Sequence, residues 1–371
     1  MAGTESDGSD AIAQVLNRIR PAIREQQAYV VGGIERPPVK LNQNESPYDL
    51  PEAIKDDLLE AFAAIPFNRY PDEQPGRLVR AYADHVGCDA EMVLAGNGSN
   101  ELTYTLGLAL VERGTPVVLP RPMFSLYEKV VRMHDGDLVE VPCLPDYRFD
   151  AEGLLDAVRT NRPALTVLTT PNNPTGLAME EGEIEAIVAA SDGFVVIDEA
   201  YVEFSDRSSA IELLDAYPNV IVLRTLSKAY GLAGLRIGFM IARRHVIREI
   251  MKARLPFMID PLAEAAARTL IAHEDLLDGR ARSLKAGRAA LQDALASLDG
   301  VDVIPSQTNF VVFRPPVEAS IVMGRLAEAG VLVRNMAGYR ELSGYLRVNA
   351  GTESENNAFL VALKNALTES R

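Results

Sequence analysis

Lys228 stands directly after the apolar run NVIVLRTL, with hydroxyls at Thr225 and Ser227 before it and Arg236 after it, in RTLSKAYGLAGLRIGF. The run reads as a buried strand, and a cation is disfavoured both beside buried surface and at the start of a helix. A lysine kept there is suited to lose its proton and act as a nucleophile or Schiff-base former. The bland alternative is a solvent-facing lysine at a helix start. Two more apolar runs end in polar groups: ALTVLTT (164–170) leads into PNNPTG with Asn173, and FVVID (194–198) into DEAY with Asp198 and Tyr201. Asp198 is either a helix cap or an acid that holds a ring N–H and keeps that ring cationic. VLAGNGSNELTYTLGLAL adds an extended segment, a glycine turn at Gly96 and Gly98, and a helix from near Ser99. Free N–H groups at such a helix start suit a phosphate, although a tight turn with a serine cap has the same pattern.

These groups are far apart in the chain and need a scaffold that brings strand ends to one edge. From Leu50 to about Met240, strand-length apolar runs (116–120, 137–141, 164–170, 194–198, 219–225, 237–242) alternate with helical patterns. The alternation predicts an α/β fold, a large domain with a mostly parallel sheet between helices and ligands beyond the carboxyl ends of its strands. After His245 come helical stretches at 260–272 and 278–298. A smaller α+β domain is expected next, with strands at 301–304, 309–314, 331–335 and 345–349 and helices at about 317–329 and 354–368. The expected division is an N-terminal arm at 1–38, a large domain at 39–258 and a small domain at 259–371 that packs with the arm. Within the arm, residues 1 to about 10 read as disordered and Asp10 to Arg24 as a short amphipathic helix.

Composition narrows the partners. The chain has 371 residues, 47% of them hydrophobic, enough for one large and one smaller core. With 52 acidic against 37 basic residues and a formal charge of -15, a nucleic-acid backbone would be repelled. Neither the two cysteines nor the four histidines have metal-ligand spacing, so no metal is expected. The polar, acidic start is unlike a signal peptide and no apolar run approaches membrane length; a cytoplasmic protein with no membrane partner is expected.

PNNPTG, DEAY and SKAYGLAGLRIG, in this order and at these intervals, resemble the pyridoxal-phosphate aminotransferases of the aspartate aminotransferase fold, fold type I. LNQNESPY (41–48), NRYPDEQ (68–74), GNGSNE (96–101) and YLRVNAGT (345–352) extend the resemblance over nearly the whole chain, and the full series looks like the histidinol-phosphate aminotransferases. The resemblance implies pyridoxal 5'-phosphate bound covalently at Lys228, which then carries the proton between substrate Cα and the cofactor's C4′. It implies Asp198 at the pyridine nitrogen, and Asn173 and Tyr201 at the phenolic oxygen O3′. Ser99, Asn100, Thr225, Ser227 and Arg236 would hold the cofactor phosphate. Phe124, in RPMFSLY, would stack on the ring without offering a hydroxyl. Tyr70 would cross between subunits to the cofactor phosphate, which implies a homodimer with shared active sites.

For the substrate, the resemblance implies that Tyr29 (in AYVVGG), Arg334 and Arg347 face its phosphate, and that Asn44 lies in a segment closing over it. Arg347 also stands out by itself, because a guanidinium inside the apolar strand YLRVN needs an anion or a salt bridge. The implied reaction is ping-pong transamination of L-histidinol phosphate with 2-oxoglutarate, giving glutamate, in histidine biosynthesis. An aromatic amino acid aminotransferase, a threonine-phosphate decarboxylase and a non-catalytic cofactor-binding regulator remain as alternatives on the same architecture.

Overall fold

The computed structural model describes residues 5–28 and 37–368. Its strands, in chain order, begin with β1 (Val39–Lys40), β2 (Val93–Asn97), β3 (Pro116–Arg121), β4 (Asp137–Pro142), β5 (Leu165–Thr169), β6 (Phe194–Asp198) and β7 (Val220–Thr225). They continue with β8 (Ile237–Ala242), β9 (Asp302–Ile304), β10 (Phe310–Arg314), β11 (Val331–Leu332), β12 (Arg334–Asn335) and β13 (Leu346–Asn349).

Seven strands form one sheet in the order β2-β8-β7-β6-β5-β3-β4. Neighbours among β3 to β7 pair in parallel, and every residue of β5 and β7 is buried, as expected of strands covered on both faces. β8 runs antiparallel to both its neighbours. Its connection from β7, residues 226–236, contains only the short 3-10 turn Ala233–Leu235. A parallel return needs a crossover, usually a helix, so the chain doubles straight back instead. Apolar patterning does not distinguish the two directions. The tight return leaves Lys228 in a loop over the carboxyl edge of the sheet.

A four-stranded antiparallel sheet, β12-β13-β10-β9, forms the second layer system. Val311, Phe313, Leu346 and Val348 share an apolar core with Val322, Leu326, Phe359 and Leu363 of the helices Ala319–Glu328 and Glu353–Thr368. Phe310 and Val312, on the other face of β10, join the larger core around the seven-stranded sheet. The same period of two turns Arg347 and Asn349 away from the small core.

Two expectations need correction. The run 331–335 is not one strand: β11 pairs parallel with β1, β12 pairs antiparallel with β13, and the chain changes partner at Val333. Near the amino end, the helix Glu5–Leu16 reaches into the stretch expected to be disordered, and a separate short helix Pro21–Arg24 follows. Pro21 opens that second helix, where a proline is tolerated, and could not continue the first.

Candidate active site

The carboxyl ends of β5, β6 and β7 lie in register, with Thr169 beside Asp198 and Asp198 beside Leu223. A cavity of about 230 Å³ opens over this edge. The parallel register gathers Asn173, Asp198, Tyr201 and Lys228 onto its wall, as the strand-end argument requires.

One group of residues lining the cavity has the chemistry to hold a phosphate. Ser99 and Asn100 occupy the first turn of the helix Gly98–Leu110 and line the cavity with Thr225, Ser227 and Arg236. Arg236 Nη1 donates to Ser227 Oγ at 3.2 Å and to Ala233 O at 3.1 Å, and Thr225 Oγ1 lies 3.0 Å from Ser227 Oγ. Two glycines permit this crowding. A Cβ on Gly98, whose φ is +73°, would fall 2.5 Å from Arg236 Nη2, and one on Gly238 would fall 2.3 Å from Ser99 N. A helix start, a guanidinium and two hydroxyls therefore converge where any larger residue would intrude.

Buried Asp198 accepts from Tyr127 Oη at 2.6 Å and from Ala200 N at 3.1 Å. Burial raises its carboxyl pKa, and these two donors pull it back. A carboxylate held this way on the cavity wall has the chemistry to pair with a ring N–H. Phe124 lines the same cavity. Tyr127 was missed by sequence reasoning: it follows Phe124 in RPMFSLY, on a helix face with Val130 and Val131 that reads as core.

Lys228 Nζ donates to Gln43 O at 3.3 Å and lies 5.9 Å from the Tyr201 ring centroid. Desolvation draws its pKa down to about 8, with Arg347 and Arg236 adding to the fall and Glu45 and Asp198 opposing it. A neutral amine is therefore accessible close to neutral pH. Tyr201 Oη accepts from Asn44 Nδ2 at 2.9 Å.

Arg334 and Arg347 face each other across β12 and β13, and both reach the cavity. Arg347 donates from Nη1 to Asn173 Oδ1 at 2.5 Å and from Nη2 to Asn42 O at 3.3 Å, with its guanidinium 5.1 Å over the Phe310 ring. Tyr339, Met336 and Ser125 complete this wall. Tyr339 comes from a turn closed by Tyr339 N to Met336 O, and nothing in the sequence marks that loop tyrosine as facing the site.

Tyr29 lies outside the described residues. Tyr70 is 84% exposed and stacks on Phe257, with their ring centroids 5.1 Å apart, instead of entering the cavity of its own chain.

The profile of the family described as aminotransferase class I and II matches residues 36–363. The chain belongs to the class I and II aminotransferases. Among its relatives in this family, the histidinol-phosphate aminotransferase of Chlorobaculum tepidum is 43% identical over 346 residues, 93% of this chain and 99% of its own length. The crystal structure of histidinol-phosphate aminotransferase from Sinorhizobium meliloti in complex with pyridoxal-5'-phosphate is similar at a TM-score of 0.87 and 29% identity, covering 95% of this chain and 98% of that one. A mutant aspartate aminotransferase of Thermus thermophilus shares the fold, at a TM-score of 0.77 and 20% identity over 94% of this chain and 99% of its own. This aminotransferase therefore has the aspartate aminotransferase-like fold type I implied by its motifs, and its likeness to the histidinol-phosphate aminotransferases runs the length of the chain.

Proposed function

We propose that this aminotransferase transfers the amino group of L-histidinol phosphate to 2-oxoglutarate, giving imidazole acetol phosphate and glutamate in histidine biosynthesis. The observation that carries the reading is the opposed pair Arg334 and Arg347 in the cavity that holds Lys228. Two guanidinium side chains on one wall of a cavity suit an anionic substrate group, which each can bind by charge-assisted hydrogen bonds. One such site suits the phosphate of histidinol phosphate in one half-reaction and the side-chain carboxylate of glutamate in the other.

The residues fit pyridoxal phosphate. Gly98 and Gly238 let Arg236 and the helix start pack closely together, and these groups line the same cavity as the Asp198 carboxylate and the Lys228 amine. When bound, pyridoxal phosphate supplies the electron sink for negative charge developing at substrate Cα. Lys228 holds the cofactor and later accepts the proton from substrate Cα, a role suited to an amine whose pKa is about 8. Asp198, braced by Tyr127 and Ala200, holds positive charge on the ring nitrogen. Asn173 and Tyr201 orient the ring oxygen, and Phe124 flanks the ring. Ser99, Asn100, Thr225, Ser227 and Arg236 bind the cofactor phosphate. Tyr29 and Asn44 belong to the substrate side in this reading.

The assembly fits a homodimer with shared sites. Tyr70, 84% exposed, stacks on Phe257, and Phe67 and Leu255, near them in the chain, are 78% and 67% exposed; exposed apolar side chains suit a subunit contact, and Tyr70 of the partner subunit would complete the phosphate cradle. No helix among the described residues is long and apolar enough to cross a membrane. A cytoplasmic location suits the reading, because phosphorylated substrates do not cross a bilayer unaided.

The test is glutamate formation by the cofactor-loaded protein from 2-oxoglutarate, with histidinol phosphate, phenylalanine or tyrosine as donor. Histidinol phosphate is expected to be used. Glutamate from the aromatic donors alone would make it an aromatic aminotransferase, and carbon dioxide from threonine phosphate without glutamate would make it the decarboxylase.

A further inference from the structure

Asn44 sits in the left-handed region, at φ +54°, inside a small network of buried amides. Its N–H donates to Asn349 Oδ1 at 3.1 Å and its carbonyl accepts from Asn309 Nδ2 at 3.2 Å. Its own Nδ2 donates to Tyr201 Oη at 2.9 Å. Asn349 ends β13 and Asn309 directly precedes β10, so the small sheet fixes the backbone of Asn44 at both sides, and that backbone aims the amide at Tyr201. Left-handed backbone is open to asparagine and glycine and poorly tolerated by most other residues, which ties this geometry to the residue type.

A tyrosine hydroxyl has one proton to donate. With Asn44 filling an acceptor position on Oη, that proton is directed away from Asn44, and both residues line the cavity. We propose that Asn44 is a positioning residue that acts through Tyr201, holding the tyrosine hydroxyl as a donor toward the ring oxygen of the bound cofactor. The role rests on pyridoxal phosphate binding in this cavity with Tyr201 at its ring oxygen. Burial pushes the Tyr201 hydroxyl up to about 12, while Arg347 and the Asn44 amide pull the other way, the effect expected of a group that strengthens the hydroxyl as a donor.

Asn44→Gly separates positioning from architecture, because glycine accepts the positive φ and only the amide is lost. The readout is the absorbance titration of the cofactor-loaded protein without substrate. Donors to the ring oxygen favour loss of the proton from the lysine linkage and so lower the titration midpoint. In Asn44→Gly the midpoint is expected to rise by about one pH unit, and in Tyr201→Phe by at least as much. Added to Tyr201→Phe, Asn44→Gly is expected to cause no further rise, since no hydroxyl remains to be directed. An unchanged midpoint in Asn44→Gly, or a rise that persists in the Tyr201→Phe background, overturns the proposal. Absence of any titrating cofactor band in the wild type would overturn the cofactor reading itself, and this proposal with it.

Discussion

Arg334 and Arg347 occupy one register position of the β12–β13 pair, and both side chains line the cavity that holds Lys228. The alternation of β13 explains how this happens in an apolar strand: Leu346 and Val348 fill the small core, so Arg347 must face the other way. Removing either arginine should cost anion binding more than folding. For Arg347→Ala, kcat/KM with histidinol phosphate is expected to fall about 100-fold, the worth of about 3 kcal/mol of charge-assisted hydrogen bonding, and for Arg334→Ala about tenfold. Steady-state kinetics with both substrates check this, because 2-oxoglutarate should suffer alongside histidinol phosphate.

Lys228 gives a pH signature. Its pKa is drawn from 10.5 to about 8, chiefly by desolvation, so the neutral amine fraction grows as pH rises towards 8 and saturates above it. The rate at which cofactor-free protein takes up pyridoxal phosphate is therefore expected to rise about tenfold per pH unit below 8 and level off above, as followed by stopped-flow absorbance. Lys228→Ala should lose about four orders of magnitude in turnover.

Asp198 is braced from two sides, and the braces should be separable. Asp198→Asn is expected to lower kcat by about 100-fold or more, since the ring nitrogen loses its counter-charge. Tyr127→Phe leaves the Ala200 N–H in place, so a loss of about tenfold is expected. Burial already raises the Asp198 pKa and the Tyr127 hydroxyl lowers it, so its removal should move the acid limb of the activity profile to higher pH.

Tyr70 is the residue whose role depends on a second copy. Tyr70→Ala is expected to weaken cofactor binding about tenfold while Lys228 chemistry continues at saturating cofactor. Cofactor titration beside sedimentation velocity checks this: the wild type should be a dimer, and a wild type that stays monomeric at assay concentration would remove the shared site.

The parts of this architecture that show in the sequence are those written in one continuous signal. β5, β6 and β7 are mostly apolar runs, and the polar residues at or just beyond their ends, Asn173, Asp198 and Lys228, are conspicuous because nothing about a strand end requires them. Tyr127 stayed hidden because an aromatic that reaches a buried acid has the same helical spacing as one that merely packs. The reversal of β8 and the division of 331–335 between two sheets depend on pairing partners, which local patterning does not encode. Asn44 could be placed near the substrate from its motif, but its bond to Tyr201 spans two segments 157 residues apart.

The central claim, that the opposed arginines select a phosphate-bearing amine, is tested most directly by comparing histidinol phosphate with histidinol itself. With wild-type protein, kcat/KM is expected to favour the phosphate ester by about 10⁴-fold, because histidinol lacks the phosphate that Arg334 and Arg347 would bind. In Arg347→Ala that ratio should shrink by about 100-fold. Comparable use of histidinol and histidinol phosphate by the wild type, or an unchanged ratio in Arg347→Ala, would contradict it.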